Sequence, residues 1–134
     1  MRTIAIDLEA YFDKQQLNID KLGSFNYLAH PEGDIYLMAA ASDDGLRWTG
    51  RPEDFDWPLV KNARVIAHNA PFDTGIFEVR PQLPRPREIN CTAALSAWCG
   101  SGRSLLVASN NLLGLKISKA PRDAMTGRSW EGIS

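Results

Sequence analysis

The stretch that decides the fold is Val65-Ile66-Ala67-His68-Asn69-Ala70-Pro71-Phe72-Asp73. Its apolar beginning predicts a short buried strand over residues 64–68. Pro71 suits the first turn of a helix, where the N–H group that proline lacks would have no partner in any case. The stretch therefore predicts a central strand that passes directly into a helix over residues 71–79, with the carboxylate of Asp73 on the first turn of that helix.

A second apolar stretch, at the start of the chain, places two more carboxylates on a strand. It reads Ile4-Ala5-Ile6-Asp7-Leu8-Glu9. Because side chains alternate along a strand, Asp7 and Glu9 share one face, while Ile4, Ile6 and Leu8 share the other. Two carboxylates on one face repel each other unless a cation joins them.

Together, Asp7, Glu9 and Asp73 offer three carboxylates at the ends of two apolar strands. Taken singly, the first two could end an edge strand and the third could cap a helix. As a set they favour a metal site, and oxygen ligands without clustered cysteine or histidine favour Mg²⁺ or Mn²⁺ over zinc. Two such ions form a clamp for phosphodiester hydrolysis, in which one activates water and the other stabilises the leaving oxygen.

The rest of the chain supplies the other elements of a mixed sheet. Further strands are predicted over residues 3–8, 35–41, 46–50 and 89–92, with a hairpin turn at residues 42–45. A loop is expected over residues 13–24 and a short strand or turn over residues 25–28. Helices are predicted over residues 58–62, 93–99 and 105–113, with Thr92 and Ser104 as N-caps and Gly114 as the end of the last helix. This order predicts one α/β domain over residues 1–134.

The composition is ordinary for a globular domain, with 44% apolar and 23% charged residues. The chain has no run of about 18 apolar residues, so no membrane-spanning helix is predicted. The N-terminus lacks the pattern of a signal peptide. Cys91 and Cys99, without paired histidines nearby, are expected to be reduced core residues. These features predict a cytoplasmic protein.

Charge is divided unevenly along the chain. Residues 1–60 carry five Lys or Arg and eleven Asp or Glu, whereas residues 61–134 carry ten and five. The basic half could hold a phosphate backbone, although an uneven charge on a solvated surface also arises by chance. The net charge of −1 argues against a protein that holds nucleic acid by charge alone.

The two motifs resemble those of a known nuclease family. Asp7-Leu8-Glu9 resembles the first motif, Asp-x-Glu, of the DnaQ-like (DEDD) 3′–5′ exonucleases, and the stretch from His68 to Asp73 resembles their second motif, His-Asn-x-x-Phe-Asp. Later segments, including Cys91-Thr92-Ala93-Ala94-Leu95, resemble the exonuclease domains of phage and bacterial family A DNA polymerases. The resemblance covers essentially the whole chain, and the pair of motifs is its specific part.

The resemblance implies an RNase H-like fold, which is a mixed sheet flanked by helices with carboxylates clustered at its centre. It also implies removal of nucleotides from the 3′ ends of single-stranded DNA, as in proofreading, with two Mg²⁺ or Mn²⁺ ions. By resemblance, Asp7, Glu9 and Asp73 would bind these ions and carry the catalysis.

The resemblance assigns substrate contacts as well. Leu8, with the main chain around Glu9, would contact the terminal nucleotide, and Asn69 and Phe72 would shape the nucleotide pocket. Packing in the core is an equally good role for Phe72. His68 is expected to be structural rather than a general base.

The sequence departs from the family at the third motif, a helix that carries Tyr or His four residues before a last Asp. That helix supplies the water-orienting group and a fourth metal ligand, and no stretch after Asp73 has its pattern. Three explanations stay open: the chain is a C-terminally incomplete piece of a longer nuclease or polymerase, it is a pseudo-nuclease that binds nucleic acid or protein without cutting, or a second chain completes the site. We expect weak activity or none from this chain alone.

Two further expectations concern surfaces. Without the last helix, apolar surface near Ile66 and the helix over residues 93–99 should be uncovered, which predicts dimerisation or aggregation. Trp48, Trp57 and Trp130 are expected in exposed regions, and this pattern suggests a protein-interaction domain as a third class of function.

Overall fold

The computed structural model describes residues 1–10 and 35–117. The loop and strand predicted over residues 13–28, and the tail that contains Trp130, lie outside these ranges. The described strands are β1 (Thr3–Ala10), β2 (Ile35–Ser42), β3 (Arg47–Gly50), β4 (Arg64–Ala67) and β5 (Glu88–Cys91).

These strands form a five-stranded sheet in the order β3-β2-β1-β4-β5. β2 is antiparallel to both of its neighbours, β1 and β3, whereas β1 and β5 are parallel to β4. β1 therefore occupies the centre of the sheet. The predicted α/β fold with a mixed sheet is confirmed.

The helical segments of the described ranges follow β3, β4 and β5. Two 3₁₀ turns, Pro52–Asp54 and Trp57–Val60, connect β3 to β4, and the second of them lies at the helix predicted over residues 58–62. The α-helical segments are α1 (Ala70–Asp73), α2 (Ile76–Val79), α3 (Thr92–Trp98) and α4 (Leu105–Leu113). Ser104 caps α4 as predicted, because its Oγ accepts the N–H of Val107 at 3.1 Å.

The core lies against one face of the sheet. β1 buries Ile4, Ile6 and Leu8, as its alternation predicts, and β4 buries Val65 and Ala67. Side chains from the segments between the strands, which include Trp57, Ile76 and Phe77, complete this cluster. The opposite face of the sheet, which includes Ala5, Ala39, Ala41 and Ile66, is only half-buried.

The helix predicted over residues 71–79 is interrupted at Thr74 and Gly75. There the N–H of Phe77 bonds to the carbonyl of Thr74, a three-residue spacing that is tighter than that of an α-helix. The hydroxyl of Thr74 bonds to the carbonyl of Ala70 at 2.5 Å. Glycine and threonine are weak helix formers, and this kind of back-bonding bends helices, so the apolar stripe alone did not predict the break.

The expectation of an exposed Trp57 is wrong. The indole N–H of Trp57 donates to the carbonyl of Pro52 at 2.8 Å, and its ring packs edge-on against Phe77 with centroids 5.8 Å apart. Trp48 is half-buried against Phe55. Residues 51–63, the connector between β3 and β4, fold onto the core because their two 3₁₀ turns direct Pro52 and Trp57 inward.

Candidate functional site

The predicted carboxylates lie where β1 extends past the end of β4. In the parallel pairing of these strands, Thr3 lies opposite Arg64 and Ala5 lies opposite Ile66. β4 ends at Ala67, whereas β1 continues to Ala10. The second half of β1 therefore runs alongside the segment that follows β4, which is the start of α1.

The chain leaves β4 through a left-handed residue. Asn69 has φ 71° and ψ 60°, and its side chain makes no capping hydrogen bond to α1. Asparagine adopts this region more readily than other non-glycine residues. The turn directs the chain back toward β1, so the conformation of Asn69 positions the whole of α1. The side chain of Asn69 is exposed beside this turn.

Asp73 is buried at the contact between α1 and β1. Its side chain is 2% exposed, and its Oδ1 accepts the N–H of Leu8 at 2.9 Å. If the β1–β4 register continued, Leu8 would lie opposite Asn69, where the chain has already turned away. The carboxylate of Asp73 therefore accepts a hydrogen bond from β1 at the place where a further residue of β4 would have paired with it.

The charged form of Asp73 is unfavourable in this position. Its pKa is raised to about 8, first by burial and then by the neighbouring carboxylates of Asp7 and Glu9, against the lowering effect of the Leu8 N–H. A buried acid among like charges is typical of functional sites, and a bound cation would favour its charged form.

Asp7 and Glu9 lie on the half-open face of the sheet. Asp7 is exposed and Glu9 is half-buried. An open groove of about 430 Å³ runs over this face, with Asp7, Ala39, Arg47 and Thr49 among its lining residues. The two acids are thus reached from solvent on the face opposite the core, as their alternation with Ile4, Ile6 and Leu8 predicts.

The donor chemistry of the three carboxylates fits a hard divalent cation such as Mg²⁺ or Mn²⁺. In residues 1–10 and 35–117, however, no group of three or more His, Cys, Asp or Glu side chains is already arranged to hold a metal ion. Asp7 and Glu9 are therefore close enough to Asp73 to raise its pKa, although the three carboxylates are not already arranged around a metal position.

The residues predicted to contact substrate occupy different environments. The side chain of Leu8 is 2% exposed in the core, so only its main chain faces the site. Phe72 is half-buried and packs against the core, which agrees with the packing role considered for it. Asn69 is exposed at the turn. Their roles in binding a nucleotide stay predictions.

His68 ties the end of β4 to the segments that follow β5. Its Nδ1 lies 3.0 Å from the hydroxyl of Thr92, and its Nε2 pairs with the carbonyl of Arg103. Because a carbonyl only accepts hydrogen bonds, the Nε2 atom carries a proton. These contacts agree with a structural role for His68.

The prediction that Thr92 caps α3 is wrong. Cys91 is the N-cap of this helix, and the hydroxyl of Thr92 contacts His68 instead.

Cys91 is the residue of this site that the sequence did not single out. It lies opposite Ala67 in the parallel β4–β5 pairing, and its Sγ accepts the N–H of Ala70 at 3.3 Å. Burial opposes the Cys91 thiolate, but backbone N–H groups, first that of Ala70 and then that of Ala94, outweigh burial and lower the thiol pKa. No local sequence pattern pointed to it, because its place in the site depends on the pairing of β5 with β4.

The expectation that both cysteines are core residues is also wrong in part. Both thiols are free, as predicted, but Cys91 is half-buried and Cys99 is exposed. Cys99 follows Trp98, the last residue of α3.

Comparison with protein-family models, with curated proteins and with solved structures found no match to this chain. The sheet, the carboxylates and their hydrogen bonds are therefore the basis for any assignment of function. Within the described residues, no helix has both the length and the apolar character needed to cross a membrane.

Proposed function

We propose that this chain is a two-metal-dependent 3′–5′ exonuclease domain of the DnaQ-like class, which removes nucleotides from the 3′ ends of single-stranded DNA. The observation that carries the proposal is the buried carboxylate of Asp73, held by the N–H of Leu8 beside Asp7 and Glu9. A mixed sheet with β1 at its centre supports the RNase H-like arrangement that the two motifs imply.

Asp7, Glu9 and Asp73 would hold the metal ions, which supply an activated water and a counter-charge for the leaving oxygen when they are bound. The chain contributes the placement of these charges. The N–H of Leu8 fixes Asp73 and favours its charged form, while the turn at Asn69 sets the distance between α1 and β1.

The substrate would approach over the half-open face of the sheet. The groove beside Asp7 gives room for a nucleotide on that face. Leu8 would contribute through its main chain, because its side chain is buried. Asn69 and Phe72 would border the terminal nucleotide, since both flank the turn that leads to Asp73.

The test is degradation of a 3′-tailed single strand by the intact chain in Mg²⁺ and in Mn²⁺. Asp7→Ala should abolish any shortening from the 3′ end. Asp56→Asn is the matched control, because Asp56 is exposed beside a 3₁₀ turn in the connector and makes no capping bond there. Shortening that survives Asp7→Ala would reject the proposed catalytic set.

Metal binding is measured separately, so that a weak enzyme can be distinguished from an incorrect site. Titration of Mn²⁺ should show tighter binding to the wild type than to Asp7→Ala, with Asp56→Asn equal to the wild type. Equal binding by all three proteins would remove the metal from the proposal.

The second candidate is a pseudo-nuclease that binds single strands or a protein without cutting. It is motivated by residues 74–134, in which no stretch has the pattern of the third motif. Salt-sensitive binding of single strands with no cleavage in either metal would support it. Cleavage that appears only when a polymerase domain or a second chain is added would instead mean that a partner completes the site.

A further inference from the structure

The half-open face of the sheet carries a cation as well as the predicted metal ligands. Arg47 on β3 lies opposite Ala41 on β2, and Ala41 lies opposite Ala5 on β1. Residues that pair directly share a face of the sheet, and so do residues two apart on one strand. Because Ala5 and Asp7 are two apart on β1, Arg47 lies on the same face as Asp7, two strands away.

The groove on this face connects the two charged residues. Asp7 and Arg47 both line it, with Ala5, Ala39 and Ala41 between them. These small side chains keep the middle of the groove shallow, so that a flat group can lie over them. A strand spacing of about 4.8 Å and a rise of about 3.4 Å per residue separate the Cα atoms of Asp7 and Arg47 by about 12 Å. A ligand that reaches both ends is therefore elongated.

The positive charge of Arg47 is not neutralised within the described residues. Its Nη1 donates to the carbonyls of Ser42 at 3.1 Å and Leu46 at 2.6 Å, and both acceptors are neutral. No carboxylate in residues 1–10 and 35–117 lies within ion-pair distance of its guanidinium. These bonds anchor the Nη1 end of an exposed side chain. The N–H groups of Nε and Nη2 can donate to an anion.

The other guanidinium in the described part of this face belongs to Arg64, whose charge is already paired. Arg64 precedes the buried Val65 on β4, so its side chain is on the side opposite the core. It lies opposite Glu88 in the β4–β5 ladder, and its Nε is 3.3 Å from the carboxylate of that residue. Arg47 is therefore the cation of this face that can bind a negatively charged ligand without breaking an ion pair.

We propose that Arg47 binds a phosphate of the single strand upstream of the linkage that is cleaved beside Asp7. This inference rests on the proposed function, which places the 3′ end of the strand at the carboxylates. The planar fork of an arginine matches two oxygens of a phosphate. Since the terminal linkage lies at the carboxylates, the phosphate at Arg47 belongs to a nucleotide farther from the 3′ end. The strand thus crosses the alanines of the groove.

The test compares the affinity of the intact chain for thymidine monophosphate and for a thymidylate tetramer, in the presence of Mn²⁺. Phosphorothioate linkages protect the tetramer from shortening. Arg47→Gln should weaken binding of the tetramer at least about 10-fold, the change expected when a charge-assisted hydrogen bond is lost. It should also reduce the slope of log affinity against log salt by about 0.7. The affinity for the monophosphate should not change.

Two further variants serve as controls. Arg85→Gln removes an exposed guanidinium that is paired with Glu78 and does not line the groove, so it should change neither affinity. Arg47→Lys keeps the charge but loses the fork, so it should keep the salt slope and bind the tetramer with an affinity between those of the wild type and Arg47→Gln. Urea unfolding confirms that each variant is folded.

A loss of tetramer binding in Arg47→Gln, with the monophosphate unchanged, supports the proposal. Equal weakening of the monophosphate overturns it, because Arg47 would then act on the terminal nucleotide. Titration with Mn²⁺ distinguishes the two levels of failure. If Mn²⁺ binds the wild type more tightly than Asp7→Ala, and Arg47→Gln binds the tetramer as tightly as the wild type, only this inference is wrong. If Asp7→Ala does not weaken Mn²⁺ binding, the proposed function is wrong and this inference with it.

Discussion

At Asp73, burial makes the stability of the fold depend on pH. The pKa of this acid is about 8 in the folded chain, against an ordinary value of 3.8. Between these values the folded state holds a proton that the unfolded state has lost. The contribution of Asp73 to stability is therefore greatest below the lower value and falls as pH rises through the window, with a slope of up to about 1.4 kcal/mol per pH unit.

Asp73→Asn should remove this dependence, because the amide oxygen still accepts the N–H of Leu8 while the charge is gone. Urea unfolding of both proteins across the window measures the effect. We expect the variant to be the more stable protein at the alkaline end and to show the flatter profile. If the free energy of unfolding changes with pH in the same way for both proteins, the pKa of Asp73 is not raised in the folded chain.

Asn69 combines a backbone requirement with a predicted substrate contact, and two substitutions separate them. Asn69→Gly suits the positive φ and should leave stability within about 0.5 kcal/mol, whereas Asn69→Ala should cost about 1 kcal/mol. Thermal or urea unfolding gives both values. If the Asn69 side chain also borders the nucleotide, Asn69→Gly will weaken binding of a single strand although the fold is intact. Unchanged binding would leave Asn69 with the backbone role alone.

At the scale of elements, the end of α4 depends on one glycine. Gly114 has φ 68°, and its N–H bonds to the carbonyl of Asn110 at 3.1 Å. A Cβ there would meet no atom within 4 Å, so the cost of substitution is conformational rather than steric. We expect Gly114→Ala to lower the free energy of unfolding by about 1 kcal/mol and Gly114→Asn by less. Denaturant midpoints compare the two variants, and an equal loss in both would contradict this account.

The elements also show how far the sequence could predict this molecule. The alternation of Ile4, Ile6 and Leu8 is a local period, so it predicted the face of β1 that carries Asp7. The position of Asp73 beside β1 was predicted because the strand over residues 64–68 leads directly into the helix that carries this residue. Burial of Trp57 did not follow, because it depends on 3₁₀ turns folding onto a core formed by distant segments.

The surroundings of Cys91 and the orientation of α4 could not be predicted from the sequence, for related reasons. The surroundings of the Cys91 thiol depend on the register between β4 and β5, which no local pattern fixes. In α4 apolar residues occur around most of the helix, so the sequence does not indicate which side faces inward. The structure buries Ala108 and Ser109, the small residues that allow a close approach.

At the scale of the whole molecule, an ion pair joins the acidic half of the chain to the basic half, because Arg80 lies 3.1 Å from Glu53, across a separation of 27 positions. Within the basic half, Arg85 lies 3.6 Å from Glu78. Each exposed pair contributes little to stability. If the proposed function holds, their effect on binding would be larger, because they reduce the positive charge that residues 80–88 could offer to a phosphate backbone.

If the chain binds single-stranded DNA as proposed, log affinity should fall with log salt along a shallow slope. Each phosphate contact contributes about −0.7 to the slope of log affinity against log salt. With Arg80 and Arg85 already paired, contacts by Arg47, which lines the groove beside Asp7, and by Arg87 and Lys116 give a slope no steeper than about −2. Titrations of a labelled strand at several salt concentrations measure this slope, and Arg87→Gln should reduce its magnitude by about 0.7. A slope near −4 would contradict this picture, because it requires either that the ion pairs open on binding or that basic residues beyond Ile117 hold the strand.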